Sequence, residues 1–358
     1  MKIIDWYIIK KYLGTFAFTL GIFILVFIIF DVSEKLDDFL RHEAPLSKIV
    51  FQYYAGSLPF YLNMLSPLIN FLAVIFFTAK MADQTEIVPI LSGGVTFKRF
   101  LKPYFIASFI IFIISLVFNL FIIPESNQLK IDFENVYINP KKDNTKMFTH
   151  MQLDKNTFVY IENFDNNNKV GYRFSLEKFN GDELKEKLIA DRITWDSVKK
   201  HWTIENFSVR KIDGLKETMT SGMKKDTILD MRPSDFEIYD NIYQAMNMEE
   251  LNERIRKEKT RGTGVMTDLL LEKYKRFVYP LATFVLTLMG VSLSSRKVRG
   301  GIGLPLGMGI LFSFLYILSM QFATMFSLKG GLPPVIAVFI PNVIFGGLGI
   351  YLLVKAPK

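Results

Sequence analysis

The chain has 358 residues, half of them hydrophobic, with 43 Lys and Arg against 35 Asp and Glu, three His and no Cys. Its mean hydropathy of +0.24 is too high for an ordinary soluble enzyme, and the lack of cysteine excludes disulfides, zinc–thiolate or iron–sulfur sites and a thiol nucleophile. The net charge of +8 does not point to nucleic acid: residues 127–246 carry 19 basic and 20 acidic side chains, so the basic excess belongs to the apolar stretches and their flanks, as in a membrane protein.

An ionised side chain in hydrocarbon costs several kcal/mol, so an uncharged run of about 18 residues or more predicts a membrane span. Six such runs occur, at 12–30, 49–79, 104–124, 277–295, 300–328 and 330–354. Lys2, Lys10 and Lys11 precede the first as in a signal peptide. It is too long for one, however, and Asp31, Ser33, Glu34 and Lys35 follow it in place of a small-residue cleavage site, so it is expected to be a retained helix. Pro59 and Pro67 predict kinks in the second run. The short flanks place twelve Lys and Arg on one side (Lys2, Lys10, Lys11, Lys80, Lys98, Arg99, Lys102, Arg296, Lys297, Arg299, Lys355, Lys358) and four on the other (Lys35, Arg41, Lys48, Lys329). By the positive-inside rule, both termini are expected in the cytoplasm and the long insert outside.

The expected fold is therefore a membrane α-helical protein of six transmembrane helices, three plus three, with an inserted periplasmic β-jellyroll or β-sandwich domain. Residues 1–125 supply three spans and a cytoplasmic loop at 80–102, residues 126–245 the β domain, 246–276 connecting helices, and 277–358 three more spans. Within the insert, TFVYIE (157–162), YRFSLEK (172–178), LIADRITW (188–195) and WTIENFSVRKI (202–212) read as strands, separated by Asp165-Asn166-Asn167-Asn168, Asn180-Gly181-Asp182 and Asp213-Gly214. Alternation is imperfect in 188–195, as in strands whose second face is not simply solvent or in irregular edge strands. Asn247 is expected to cap a charged helix running to about Lys259, and a second helical stretch from Met266 leads into the fourth span.

Several chemistries are missing. No phosphate-cradling G-x-x-x-x-G-K-[ST] loop is present, no His-x-x-x-His pair, and no G-x-S-x-G elbow. His42, His150 and His201 read as surface or loop residues. The spans hold no charged residue or histidine, which removes the usual machinery of ion-coupled transport, and Asn63 and Asn70 on one helical face read as interhelical hydrogen-bonding groups.

Three places carry candidate function. In 81–101 (MADQTEIVPILSGGVTFKRFL), Asp83 is expected to cap a short helix with Glu86 in its first turn, then Ile87, Val88, Ile90 and Leu91, ended by Gly93-Gly94; it either docks into a groove on a soluble partner or merely reverses the chain. At the far end of the first span, Lys35 and Arg41 either meet lipid-headgroup phosphates or belong to a solvated helix end whose acids neutralise them. Gly303-x-x-x-Gly307 permits close helix approach, as static packing or as a movable gate.

The order of parts, together with WYIIKKYLGTF, TEIVPILSGGVTFKRF and LPPVIAVFIPNVIFGGLGIYLL, resembles the LptF/LptG-type (YjgP/YjgQ) permeases of the lipopolysaccharide export ABC transporter, leaning to the LptG side. The resemblance covers essentially the whole chain. It implies a non-catalytic permease in the bacterial inner membrane, paired with a paralogous LptF/LptG-type permease. An LptB-type ATPase dimer that uses ATP and Mg would dock beneath, LptC and LptA-type proteins would extend a periplasmic bridge, and this chain would bind no cofactor or metal itself. It also implies that Glu86, within the segment holding Ile87, Ile90, Leu91 and Gly93, faces the ATPase. Lys35, after a one-residue gap, matches a basic residue that contacts substrate phosphates. The alternative is a membrane receptor or scaffold whose β domain binds a periplasmic ligand or protein; the chain shows only short cytoplasmic loops and no signalling domain to serve it.

Overall fold

The computed structural model describes residues 2–138, 145–236, 242–296 and 301–355. The chain divides into two compact units, one of residues 1–140, 244–248 and 270–358, the other of residues 141–243 and 249–269. Lys297, Arg299 and Lys358 of the charge count, and Gly300 at the start of the fifth apolar run, lie outside the described residues.

The principal helices are, in chain order, α1 (Ile3–Arg41), α2 (Leu46–Asp83), the short α3 (Ile87–Ser92), α4 (Phe97–Tyr137), α5 (Met248–Arg261), α6 (Met266–Ser294), α7 (Gly303–Lys329) and α8 (Pro334–Lys355). Six of these, all but α3 and α5, are long and apolar enough to cross a membrane. At about 1.5 Å per residue, α1, α2 and α4 overrun a hydrocarbon layer of about 30 Å. Pro59 and Pro67 lie inside α2, and π-helical turns interrupt α2 at Ile49–Tyr54 and α4 at Phe118–Ile122. The insert boundary drawn at 126 falls within α4, which continues to Tyr137. Hydropathy detects where a helix leaves hydrocarbon, not where it ends. The extension is held because Gly56 lets α2 approach it: a Cβ there would lie 2.7 Å from Lys130 N and Ser126 O.

Buried side chains of the first unit form separate clusters. Ile8, Ile9 and Tyr12 of α1 pack with Phe77 and Met81 of α2, Ile87 of α3, Phe100 and Tyr104 of α4 and Val291 of α6. Phe71, Ile75, Leu286, Met289, Tyr316 and Phe345 join α2, α6, α7 and α8. Between Tyr12 and Asp31, α1 buries no residue at all. In water such a surface would be untenable; in a bilayer it faces lipid or another helix.

The second unit is a six-stranded antiparallel sheet in sequence order: β1 (Thr145–Asp154), β2 (Thr157–Asp165), β3 (Val170–Asn180), β4 (Glu183–Asp196), β5 (His201–Asp213) and β6 (Lys216–Thr227). The four strands read from sequence are β2 to β5, and the two edge strands were missed. β6 (KETMTSGMKKDT) is exposed along nearly its whole length, so it carries no apolar signal; pairing with β5 defines it.

The imperfect alternation has a physical cause. Besides local bulges at Gln152/Asp154 and Lys178/Phe179, one skipped row is common to every pair and runs through Phe148, Glu162, Arg173, Asp191, Asn206 and Met223 across all six strands. Phe148, Arg173 and Asn206 in this row have φ near +51°, a conformation that breaks the two-residue side-chain period. The buried parity therefore flips: Leu188 and Ala190 are buried before the row and Ile193 after it, while Ile189 is half exposed. Side chains from both limbs, among them Ile161, Phe164, Phe174, Ile193 and Trp202, share one core with Met231 and Phe236.

Candidate functional site

The segment between α2 and α4 is built by backbone hydrogen bonds more than by a side-chain cap. Asp83 was expected to cap the short helix, but α2 runs through it: Gln84 N donates to Lys80 O at 3.0 Å and Glu86 N to Met81 O at 2.9 Å. Thr85 takes a φ of 56° to reverse the chain, and Glu86 is the residue that precedes α3. Pro89 sits in the first turn, where its missing N–H leaves no bond unmade. Gly93 is the C-cap and Gly94, with φ of 83°, ends the helix.

The apolar residues of α3 divide between two faces. Ile87 is buried, and Ile90 and Leu91 pack against the cluster containing Tyr12, Phe77 and Tyr104. These three side chains hold the helix to the bundle. Gln84, Thr85, Val88, Pro89, Ser92 and Gly93 are exposed. Of the predicted coupling residues, only Glu86 and Gly93 reach the outer face, with Glu86 half-buried.

Glu86 is also tied to α1. Tyr7 donates its hydroxyl to Glu86 Oε2 at 3.0 Å. Nearby, Arg99 of α4 makes two 2.7 Å bonds to the carboxylate of Asp5, which in turn accepts from Lys2 N at 2.8 Å. Thr96 caps α4 by accepting from Arg99 N. Sequence pattern alone does not single out Asp5, Tyr7 or Tyr12 as site residues. Asp5, an acid among the lysines of a membrane flank, was the available signal.

At the other end of α1, Lys35 is engaged by its own protein. It bonds the Tyr53 hydroxyl, lies 3.4 Å from Asp31 and 4.0 Å from Glu134, and sits over the Tyr53 ring at 4.6 Å. Asp31 accepts from Tyr53 at 2.9 Å and Tyr54 at 3.1 Å, and Lys130 joins through Glu134 at 3.7 Å. Two cations face two carboxylates here. Arg41 is exposed and makes no ion pair among the described residues.

In the bundle, Tyr12 donates to Asn70 Oδ1 and lies 2.9 Å from Thr287 Oγ1, while Asn70 Nδ2 donates to Thr287 Oγ1 at 3.0 Å. This places Asn70 in the interhelical role read for it. The close helix approach expected at Gly303 and Gly307 occurs elsewhere. A Cβ at either glycine meets nothing within 4 Å, whereas one at Gly309 would collide with Ile75 and one at Gly290 would lie 2.9 Å from Val74.

The profile of the family described as lipopolysaccharide export system permease LptF/LptG matches residues 6–355. The chain belongs to that family. Lipopolysaccharide export system permease protein LptG of Escherichia coli K12 is 20% identical over 362 residues, covering 97% of this chain and 98% of the relative. LptG of Escherichia coli O6:H1 matches equally. Family membership accounts for six apolar helices around an inserted β unit, and makes the chain a non-catalytic permease subunit. Among the described residues no cluster of His, Asp and Glu has the form of a metal site.

Proposed function

We propose that this permease forms one half of a heterodimer through which lipopolysaccharide leaves the bacterial inner membrane, and that α3 with its flanking turns seats a separate ATPase. The supporting observation is the division of α3. Its inner face is fixed to three membrane helices through Ile87, Ile90 and Leu91, while Val88, Pro89, Ser92 and the edge of Glu86 are left bare. A load on that face is carried directly into α1, α2 and α4.

Each lipid CH₂ moved through water costs about 0.8 kcal/mol, so extraction of a multi-acyl lipid needs an external energy source. The sequence has no phosphate-cradling loop, so ATP and Mg belong to the partner, an LptB-type dimer. LptC and LptA-type proteins would receive the lipid beyond the β unit. The termini and α3 lie in the cytoplasm and the β unit in the periplasm. Headgroup phosphate meets Arg41 first, because Lys35 is already neutralised by Asp31 and Glu134. Gly303 and Gly307, open on α7, face the partner permease or lipid.

Extraction in mild detergent followed by mass spectrometry is expected to recover a second six-span permease, a small P-loop ATPase and lipopolysaccharide. Glu86→Arg is expected to abolish ATP-coupled export and weaken ATPase recovery. Recovery of the chain alone under several mild conditions, or full coupling in Glu86→Arg, would remove the assigned coupling point.

A further inference from the structure

Two side-chain contacts fasten the first turns of α1. Asp5 is buried and grips Arg99, at the start of α4, through both guanidinium nitrogens at 2.7 Å. Tyr7 holds Glu86, at the start of α3, at 3.0 Å. Beyond Tyr12, α1 has no buried residue until Asp31, where Tyr53 and Tyr54 fix its other end. The helix is thus fastened at its two ends, with a middle that this chain covers only in part, through side chains such as Phe16 and Phe27.

We infer that Asp5, Arg99 and Tyr7 are positioning residues that couple the α3 segment to α1, so that displacement of α3 moves α1 as part of the same rigid body. This inference rests on the reading of α3 as the ATPase seat. The bidentate pair has a defined orientation that one point contact would lack. Because Asp5 also accepts from Lys2 N, the same carboxylate fixes the start of α1 and the start of α4. Tyr7 limits the orientations of Glu86 and keeps its carboxylate at the border of the bare face. Without these links, α3 would remain attached through Ile87, Ile90 and Leu91 to side chains of α1, α2 and α4, but those apolar contacts fix distance without fixing rotation.

The test uses the full chain reconstituted with its partner permease and ATPase in vesicles containing lipopolysaccharide. It measures the amount of assembled complex, ATP hydrolysis, and lipid exported per ATP. Asp5→Asn and Arg99→Gln are expected to assemble and hydrolyse ATP, with lipid exported per ATP falling about fivefold or more, the lower end of ordinary coupling between sites. Asp5→Glu, which keeps the carboxylate, restores much of it. Tyr7→Phe removes only one exposed hydroxyl, and is expected to lower the same ratio even if the ion-pair variants fold poorly. Unchanged export per ATP in Tyr7→Phe and in both ion-pair variants would overturn the inference, as would losses that merely follow the amount of complex. If the unaltered chain fails to retain an ATPase, the seat itself is wrong and the inference falls with it.

Discussion

At the residue scale, some polar groups of the bundle are committed to one another. Tyr12, Asn70 and Thr287 form a closed set across α1, α2 and α6, and Tyr104 pairs with Thr78 at 3.1 Å. In hydrocarbon an unmade bond finds no water to replace it, and an interhelical hydrogen bond contributes about 0.5–2 kcal/mol. Tyr12→Phe deprives Asn70 Oδ1 of its donor and Thr287 of a partner. It is expected to lower stability by about that range, and Tyr104→Phe, which removes one bond, by less. Thermal unfolding in one detergent, comparing the two variants with the parent, checks the order. Asn70 was legible in the sequence because an amide in an apolar run needs a partner. Tyr12 was not: a tyrosine near a membrane boundary is ordinarily an interface residue, and its burial depends on helices far away in sequence.

At the scale of elements, the same division between local and distant causes recurs. The six apolar runs and the turn residues were readable because their causes are local: exclusion of charge from hydrocarbon, and the Asx turn at Asp165, which accepts from Asn167 N at 2.9 Å. The edge strands, the polar extension of α4 and the parity flip at Asp191 depend on neighbours. So does the anchor of α5. Asp235, buried in the β unit, receives Arg261 at 2.6 Å and Arg254. Burial alone would raise its pKa, but the hydrogen bond from Arg261 and the charges of Arg254 and Arg261 outweigh it and hold the carboxyl below its ordinary value. A carboxylate with a lowered folded pKa adds stability above its unfolded pKa of about 3.9, and that contribution is lost as pH falls through the folded value. The loss of this pair therefore belongs to strongly acidic solution, not to neutral pH. Asp235→Asn leaves the buried Arg261 and the part-buried Arg254 without their shared charge, at a cost of about 3–5 kcal/mol. Its unfolding, followed through buried Trp202, is expected to lose much of the parent's acid dependence in that window. A variant with unchanged stability at neutral pH would mean that α5 is held without this carboxylate, by contacts such as Leu251, Ile255 and the Arg261 bond to Asp230 O at 2.9 Å.

At the scale of the whole molecule, function depends on which face of the membrane each unit meets. The fold is indifferent to inversion, since a six-span bundle with an insert packs equally well either way. What distinguishes the two orientations is the distribution of Lys and Arg, which concentrates on the side of α3. The absence of cysteine makes this testable without background. Ser92→Cys reports the exposed face of α3, and Ser197→Cys the exposed turn between β4 and β5. A membrane-impermeant maleimide added to intact spheroplasts is expected to label Ser197→Cys alone, and both variants once the membrane is permeabilised. Both changes replace one oxygen by sulfur at a solvent-exposed position, so neither disturbs the fold that it reports. Labelling of Ser92→Cys from outside would place α3 away from ATP. It would then remove the energy source from the segment that Asp5, Tyr7 and Arg99 fasten to α1, and leave family membership without its proposed mechanism in this chain.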